Sequence, residues 1–102
     1  MKIVKVFLDL GTTGVNPKRH SVHQIAGLIE VNGVVVDEFN IKTRPHPKAE
    51  ITPEALTTCH VTKEQILSYT PMDMGYRELI RRLTPYVDKY NPREKAYLVG
   101  FN

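Results

Sequence analysis

The chain has one cysteine, Cys59, and no tryptophan. A lone cysteine excludes an intramolecular disulfide and any multi-cysteine zinc site, and it favours a reducing compartment, so the expected location is cytoplasmic. Long apolar runs are also missing. The N-terminal stretch Ile3 to Leu10 is broken by Lys5 and ends in Asp9-Leu10; it is too short and too charged for a membrane span or a signal peptide. There are no repeats, low-complexity tracts or linkers. Neither sign of charge dominates: 14 Lys and Arg against 11 Asp and Glu leave +3, which permits nucleic-acid or phosphate partners without implying them. What is present is a globular composition, 41% hydrophobic and 25% charged over 102 residues. That suffices for one domain that buries roughly 60–70% of its unfolded surface.

Residues 3–10 (IVKVFLDL) form a β-rich run that reads as a central strand buried on both faces. A polar loop follows, with Gly11-Thr12-Thr13-Gly14 and Asn16-Pro17-Lys18-Arg19. Two further runs, Val22 to Val31 and Val34 to Ile41, flank Asn32-Gly33. Asn-Gly between apolar runs predicts a type I′ hairpin, because both turn positions need φ > 0. The first half is therefore an antiparallel meander.

The period then changes. Thr52-Pro53 offers an N-cap and a first-turn proline for a short helix through Leu56, and Thr62-x-x-Gln65 is a capping box. Thr70-Pro71 opens the main helix, with Asp73 in its first turn and an apolar stripe of Tyr76, Leu79, Ile80, Leu83 and Val87. Pro85 predicts a kink, or a restart capped by Thr84. Tyr97-Leu98-Val99 begins a last strand, expected beside the first. This order is α+β, and it brings the end of the fourth strand next to Asp9, where open sheets carry ligand sites.

Asp9 closes an otherwise apolar strand, and burying it unpaired would cost several kcal/mol in order of magnitude. It either accepts N–H groups from Thr12 and Thr13 or marks a metal or phosphate site. Side chains 9 and 11 share a face, so a carboxylate at 11 would complete a two-metal cradle for in-line phosphodiester hydrolysis; the residue there is Gly11. Lys18-Arg19-His20 is the better candidate for phosphate contacts. Arg77, Arg81, Arg82 and Lys89 would form a nucleic-acid stripe, but Asp73–Arg77 and Glu78–Arg82 at i,i+4 spacing read as a solvated helix face. His46 and His60 lack chelating partners at metal spacing. Tyr76, Tyr86 and Tyr90 follow helical spacing and read as core.

The segment Phe7-Leu8-Asp9-Leu10-Gly11-Thr12-Thr13-Gly14 resembles the opening motif Asp-x-Glu-Thr-Thr-Gly of the DEDD 3′–5′ exonucleases, with Gly11 in the Glu position. The resemblance continues through His23-Gln24-Ile25-Ala26, Asn32-Gly33, Ile51-Thr52-Pro53-Glu54-Ala55-Leu56, Val61-Thr62-Lys63-Glu64-Gln65-Ile66 and Leu98-Val99-Gly100-Phe101-Asn102. It implies an RNase H-like fold, a nucleic-acid 3′ end as substrate, Mg²⁺ or Mn²⁺ as cofactor, and a polymerase or replication complex as partner. On the matching positions it implies Asp9 as catalytic residue and metal ligand. It also implies Thr12, Thr13, Glu54, Ala55, His60 and Asn102 as substrate-binding residues. Cys59-His60-Val61-Thr62 stands where the family reads His-Gly-Ile-Thr, so strict alignment puts Cys59 in the histidine slot. The family's third and fourth carboxylates and its general base would fall beyond Asn102. The expectation is thus an incomplete exonuclease domain over residues 1–102, cut after its fourth strand, with apolar sheet surface exposed and negligible hydrolysis. One alternative is a nucleic-acid-binding module without catalysis. Another is the first phosphate loop of a sugar-kinase or Hsp70-type ATPase, which Asp9-x-Gly11-Thr12-Thr13-Gly14 also resembles.

Overall fold

The computed structural model describes residues 2–88, 90–91 and 93–101. The chain runs β1 (Val4–Thr12), β2 (Val22–Val31), β3 (Val34–Lys42), α1 (Pro53–Cys59), α2 (Lys63–Leu67), α3 (Met72–Leu83) and β4 (Ala96–Phe101). The sheet order is β3-β2-β1-β4, antiparallel except for the parallel pair β1 and β4. The architecture is the expected α+β one, a meander, helices, and a fourth strand beside the first.

The meander turns where expected. Asn32 and Gly33 have φ of 50° and 85°, the pair of positive values a type I′ turn requires. The Asn32 side chain also accepts the Ile3 N–H at 2.8 Å, pinning the hairpin to the start of β1.

One face of the sheet carries the core. Val4, Val6, Ile29, Phe39 and Ile41 are buried, and Leu79, Leu83, Tyr86, Val87 and Ala96 pack against them. The β1 strand is central but not buried on both faces as its composition predicts. Lys5 and Asp9 are exposed. Helices cover only the Val4–Val6 side, so the alternate side chains of β1 face away from the core. The radius of gyration, 15.0 Å, exceeds the roughly 13 Å of a compact chain of this length, as a one-sided sheet would produce.

Local chemistry sets the helices. Thr52 caps α1 through its hydroxyl and Pro53 sits in the first turn. The helix runs past Leu56 to Cys59, because His60 with φ 56° closes it by donating its N–H to Leu56 and Thr57. The Thr62–Gln65 capping box opens α2 with both of its hydrogen bonds formed. Thr70 does not cap α3: its hydroxyl donates to the Lys42 carbonyl at 3.1 Å, and Pro71 takes the cap position.

The apolar stripe of α3 is rotated from the expected one. Contact runs through Gly75, Leu79 and Leu83, so Tyr76 and Ile80, one position further round, are 64% and 44% exposed. Tyr90, beyond the helix, is exposed as well, leaving Tyr86 as the tyrosine of the expected three that packs against the core. Pro85 neither kinks nor restarts the helix. It lies outside, since α3 ends at Leu83 with Thr84 as its C-cap, before the proline ring would meet the preceding turn.

Of the expected ion pairs, Glu78–Arg82 forms at 3.1 Å, with Arg81 added at 2.6 Å. Arg82 also bridges to Asp37 on β3 at 3.0 Å. Asp73–Arg77 is not among the ion pairs of the described residues, and Lys89 lies outside those residues. Apolar side chains are exposed on edge strand β4, at Tyr97 and Leu98. Among the described residues no helix is long and apolar enough to cross a membrane.

Candidate functional site

The site grows from the end of β1. Beyond Thr12 the chain makes a loop that folds back on itself: the Thr13 N–H donates to the Ser21 carbonyl, and the Ser21 N–H returns to the Thr13 hydroxyl, both at 2.9 Å. Asn16 organises the loop tip. Its side-chain oxygen accepts the Lys18 N–H, its carbonyl accepts the His20 N–H, and its own N–H donates to His20 Nδ1. The last bond fixes Nδ1 as an acceptor and leaves the proton on Nε2. The imidazole lies flat on Gly14, where a Cβ would come within 2.5 Å of three ring carbons. Only glycine fits there.

The loop is tied to α1. The Thr13 carbonyl accepts from both the N–H and the hydroxyl of Thr52, at 2.9 and 3.1 Å. The same hydroxyl accepts the Ala55 N–H at 3.3 Å, so one side chain caps the helix and fastens it to the loop. Between them lies a cavity of about 400 Å³, lined by Leu10, Thr12 and Gly14 on one side and Glu54, Ala55 and Cys59 on the other, with His20 at its wall.

Of the residues singled out in sequence, this cavity brings together Thr12, Glu54 and Ala55. Thr13 is fully buried and serves as the tie. His60 faces a separate depression with Pro53 and Thr57, and Cys59 stands in the cavity instead. Asn102 lies outside the described residues. Asp9 is also elsewhere, in a hollow with Phe7, Leu8, Ala26, Gly27 and Leu28, because alternation turns it away from the side that Leu10 presents. It does not accept from Thr13, whose N–H goes to Ser21, and its carboxylate has no hydrogen-bond partner among the described residues. Lys18 and Arg19 are exposed at the loop tip and His46 is exposed beyond it.

Sequence reasoning missed His23. Its ring is 1% exposed, and neither nitrogen has a hydrogen-bond partner among the described residues. Burial lowers its pKa, against the smaller opposing pull of the Thr12 and His23 carbonyls, which lie near the ring without hydrogen-bonding geometry. The signal, an alternation slip in β2 opposite Gly11, is visible only once the strands are paired.

Among the described residues no three His, Cys, Asp or Glu side chains gather to hold a metal ion. Mg²⁺ demands a near-octahedral set of oxygens, and a two-metal site shares several carboxylates between its ions. Asp9 alone does not fit that requirement, and no hydrolytic step is assigned to it.

No protein-family model and no curated protein matches the sequence. Solved structures do match in fold. The nuclease domain of 3′hExo, a DEDDh family member bound to rAMP, superposes with a TM-score of 0.71 at 14% identity, over 97% of this chain and 52% of that one. E. coli Exonuclease I in complex with a dT13 oligonucleotide gives 0.72 at 18%, over 98% of this chain and 20% of that one. Cell-death related nuclease 4 gives 0.71 at 18%, over 95% and 34%. The chain spans from a fifth to about half of the length of these structures. Its fold is that of the DEDD-type 3′-exonucleases, RNase H-like, as the motifs imply.

Proposed function

We propose that the chain holds the 3′-terminal nucleotide of a single-stranded nucleic acid in the cavity between the β1 loop and α1, without hydrolysing it. The observation that carries this reading is the joining of Thr12 and Gly14 to Glu54 and Ala55, some forty residues apart in sequence, around one cavity of about 400 Å³. That volume suits a nucleoside-sized ligand. Apolar walls at Leu10 and Ala55 would pack a base or sugar, and the Thr12 hydroxyl and the Glu54 carboxylate would supply polar groups at the margin. Lys18 and Arg19, exposed on the same loop, would meet the next phosphates. The solved structures of this fold hold rAMP and a dT13 oligonucleotide, which agrees with a nucleotide ligand. With Gly11 in the motif's Glu position, Mg²⁺ or Mn²⁺ at Asp9 would keep most of its waters.

The test is titration of a labelled single-stranded oligonucleotide, read by anisotropy, with Mg²⁺ and with EDTA, alongside a gel for shortening. Binding is expected in both, weakening with salt, with no shortening. Ala55→Phe, which fills the cavity without changing charge, is expected to weaken binding about tenfold, or ~1.4 kcal/mol. Mg²⁺-dependent trimming would contradict the inactive reading, and unchanged binding by Ala55→Phe would contradict the site.

A further inference from the structure

Position 11 has glycine where the motif has its second carboxylate, and the surroundings show what stands in the way of any side chain there. β1 and β2 pair residue for residue from Val4–Val31 to Gly11–Gln24, and then Thr12 pairs with Val22. His23 is the extra residue of a β-bulge, so His23 and Gln24 both stand opposite Gly11. A Cβ on Gly11 would lie 2.8 Å from His23 Cε1, 3.1 Å from Gln24 Cβ and 3.2 Å from Gln24 Oε1. Contacts below about 3.0 Å between such carbons force one partner to move.

The imidazole has little room to do so. It is 1% exposed, and the His23 carbonyl accepts the Thr43 N–H at 2.9 Å, fastening its backbone to the end of β3. No hydrogen bond to either ring nitrogen holds it among the described residues. Packing keeps the ring where it is, and part of that packing is the bare Cα of Gly11.

We infer that His23 fills the space a side chain at position 11 requires, so that Gly11 and His23 form a coupled pair and Gly11→Glu alone cannot rebuild the missing metal ligand. The functional meaning rests on reading position 11 as the site of a lost carboxylate; the steric coupling rests on the bulge alone. His23 is thereby the residue that closes the second ligand position of the fold.

A four-member thermal-unfolding cycle tests it: the wild type, Gly11→Ala, His23→Ala and the double variant, with His23→Val as a second small replacement should His23→Ala not fold. Alanine in a strand interior ordinarily outperforms glycine. Here Gly11→Ala is expected to lower Tm by about 4–8 °C in the wild type and to raise it once His23 is small. A reversal of sign supports the coupling. Gly11→Ala raising Tm in both backgrounds, or lowering it equally in both, overturns it. Gly11→Glu should follow the same pattern more strongly. No oligonucleotide enters these measurements, so failure here leaves the cavity reading untouched, and loss of oligonucleotide binding leaves the coupling untouched.

Discussion

The Thr13 carbonyl accepts two hydrogen bonds from one residue, Thr52, through its backbone N–H at 2.9 Å and its hydroxyl at 3.1 Å. Thr13 is fully buried, so these bonds meet the requirement that a buried carbonyl be satisfied. They also set the distance between the β1 loop and α1, and hence the width of the cavity.

Thr52→Val keeps the shape of that side chain and removes both hydroxyl interactions. Loss of the cap alone costs about 0.5–2 kcal/mol. Urea unfolding should show a destabilisation in that range. Because α1 is then less firmly placed, oligonucleotide affinity should fall with it, whereas Thr57→Val, on the side of α1 that faces the separate depression with His60, should leave affinity nearer the wild-type value.

His23 makes stability depend on pH near neutrality. Burial lowers its folded-state pKa below the 6.5 of an exposed imidazole. Below about pH 6.5 the unfolded state therefore binds a proton that the folded state does not, and stability falls as pH drops from there towards the folded pKa. Denaturant midpoints from pH 8 to 5 should decline in the wild type. In His23→Val that part of the decline should be absent.

At Gly75, α3 packs closely on Thr43, the residue that follows β3. A Cβ there would lie 2.9 Å from Thr43 Cβ, and Thr43 is itself buried. In an open helix Gly→Ala gains about 1 kcal/mol. Gly75→Ala should instead lower Tm, since the helix must lift away from Thr43, and the same substitution should cost less in a Thr43→Gly background, which removes the Cβ and Oγ1 that the new methyl group would meet.

The acid limb of the unfolding curve should report Glu78. Hydrogen bonds from Arg81 and then Arg82 hold its carboxyl at about 2, against an ordinary 4.5. Its contribution is present above pH 4.5 and is lost as pH falls towards about 2. The carboxylate is exposed to solvent, so salt screens it. The gap between wild type and Glu78→Gln should be small at neutral pH, shrink on acidification, and shrink again in high salt.

Features set by neighbouring residues were legible in sequence. The Asn32–Gly33 turn, the Thr52 cap, the Thr62–Gln65 capping box and the place of β4 beside β1 each follow from local chemistry or from strand order. Features set by contact between distant segments were not. The stripe of α3 depends on Gly75 meeting Thr43, which turns Tyr76 and Ile80 to solvent. The open face of β1 depends on which side the helices cover. At the site, Thr12, Glu54 and Ala55 were named from motifs and meet in one cavity. Asp9 and His60 were named on the same grounds and lie apart from it. Burial of His23 depends on a pairing slip that no single strand reveals.

The most direct test is a ¹⁵N–¹H correlation titration of the chain with a short single-stranded oligonucleotide. Shifts are expected at Thr12–Val15, His20 and Thr52–Cys59, with the exposed arginines of α3, Arg77 and Arg81, little changed. Shifts centred on α3, or none at the loop and α1, would contradict the account.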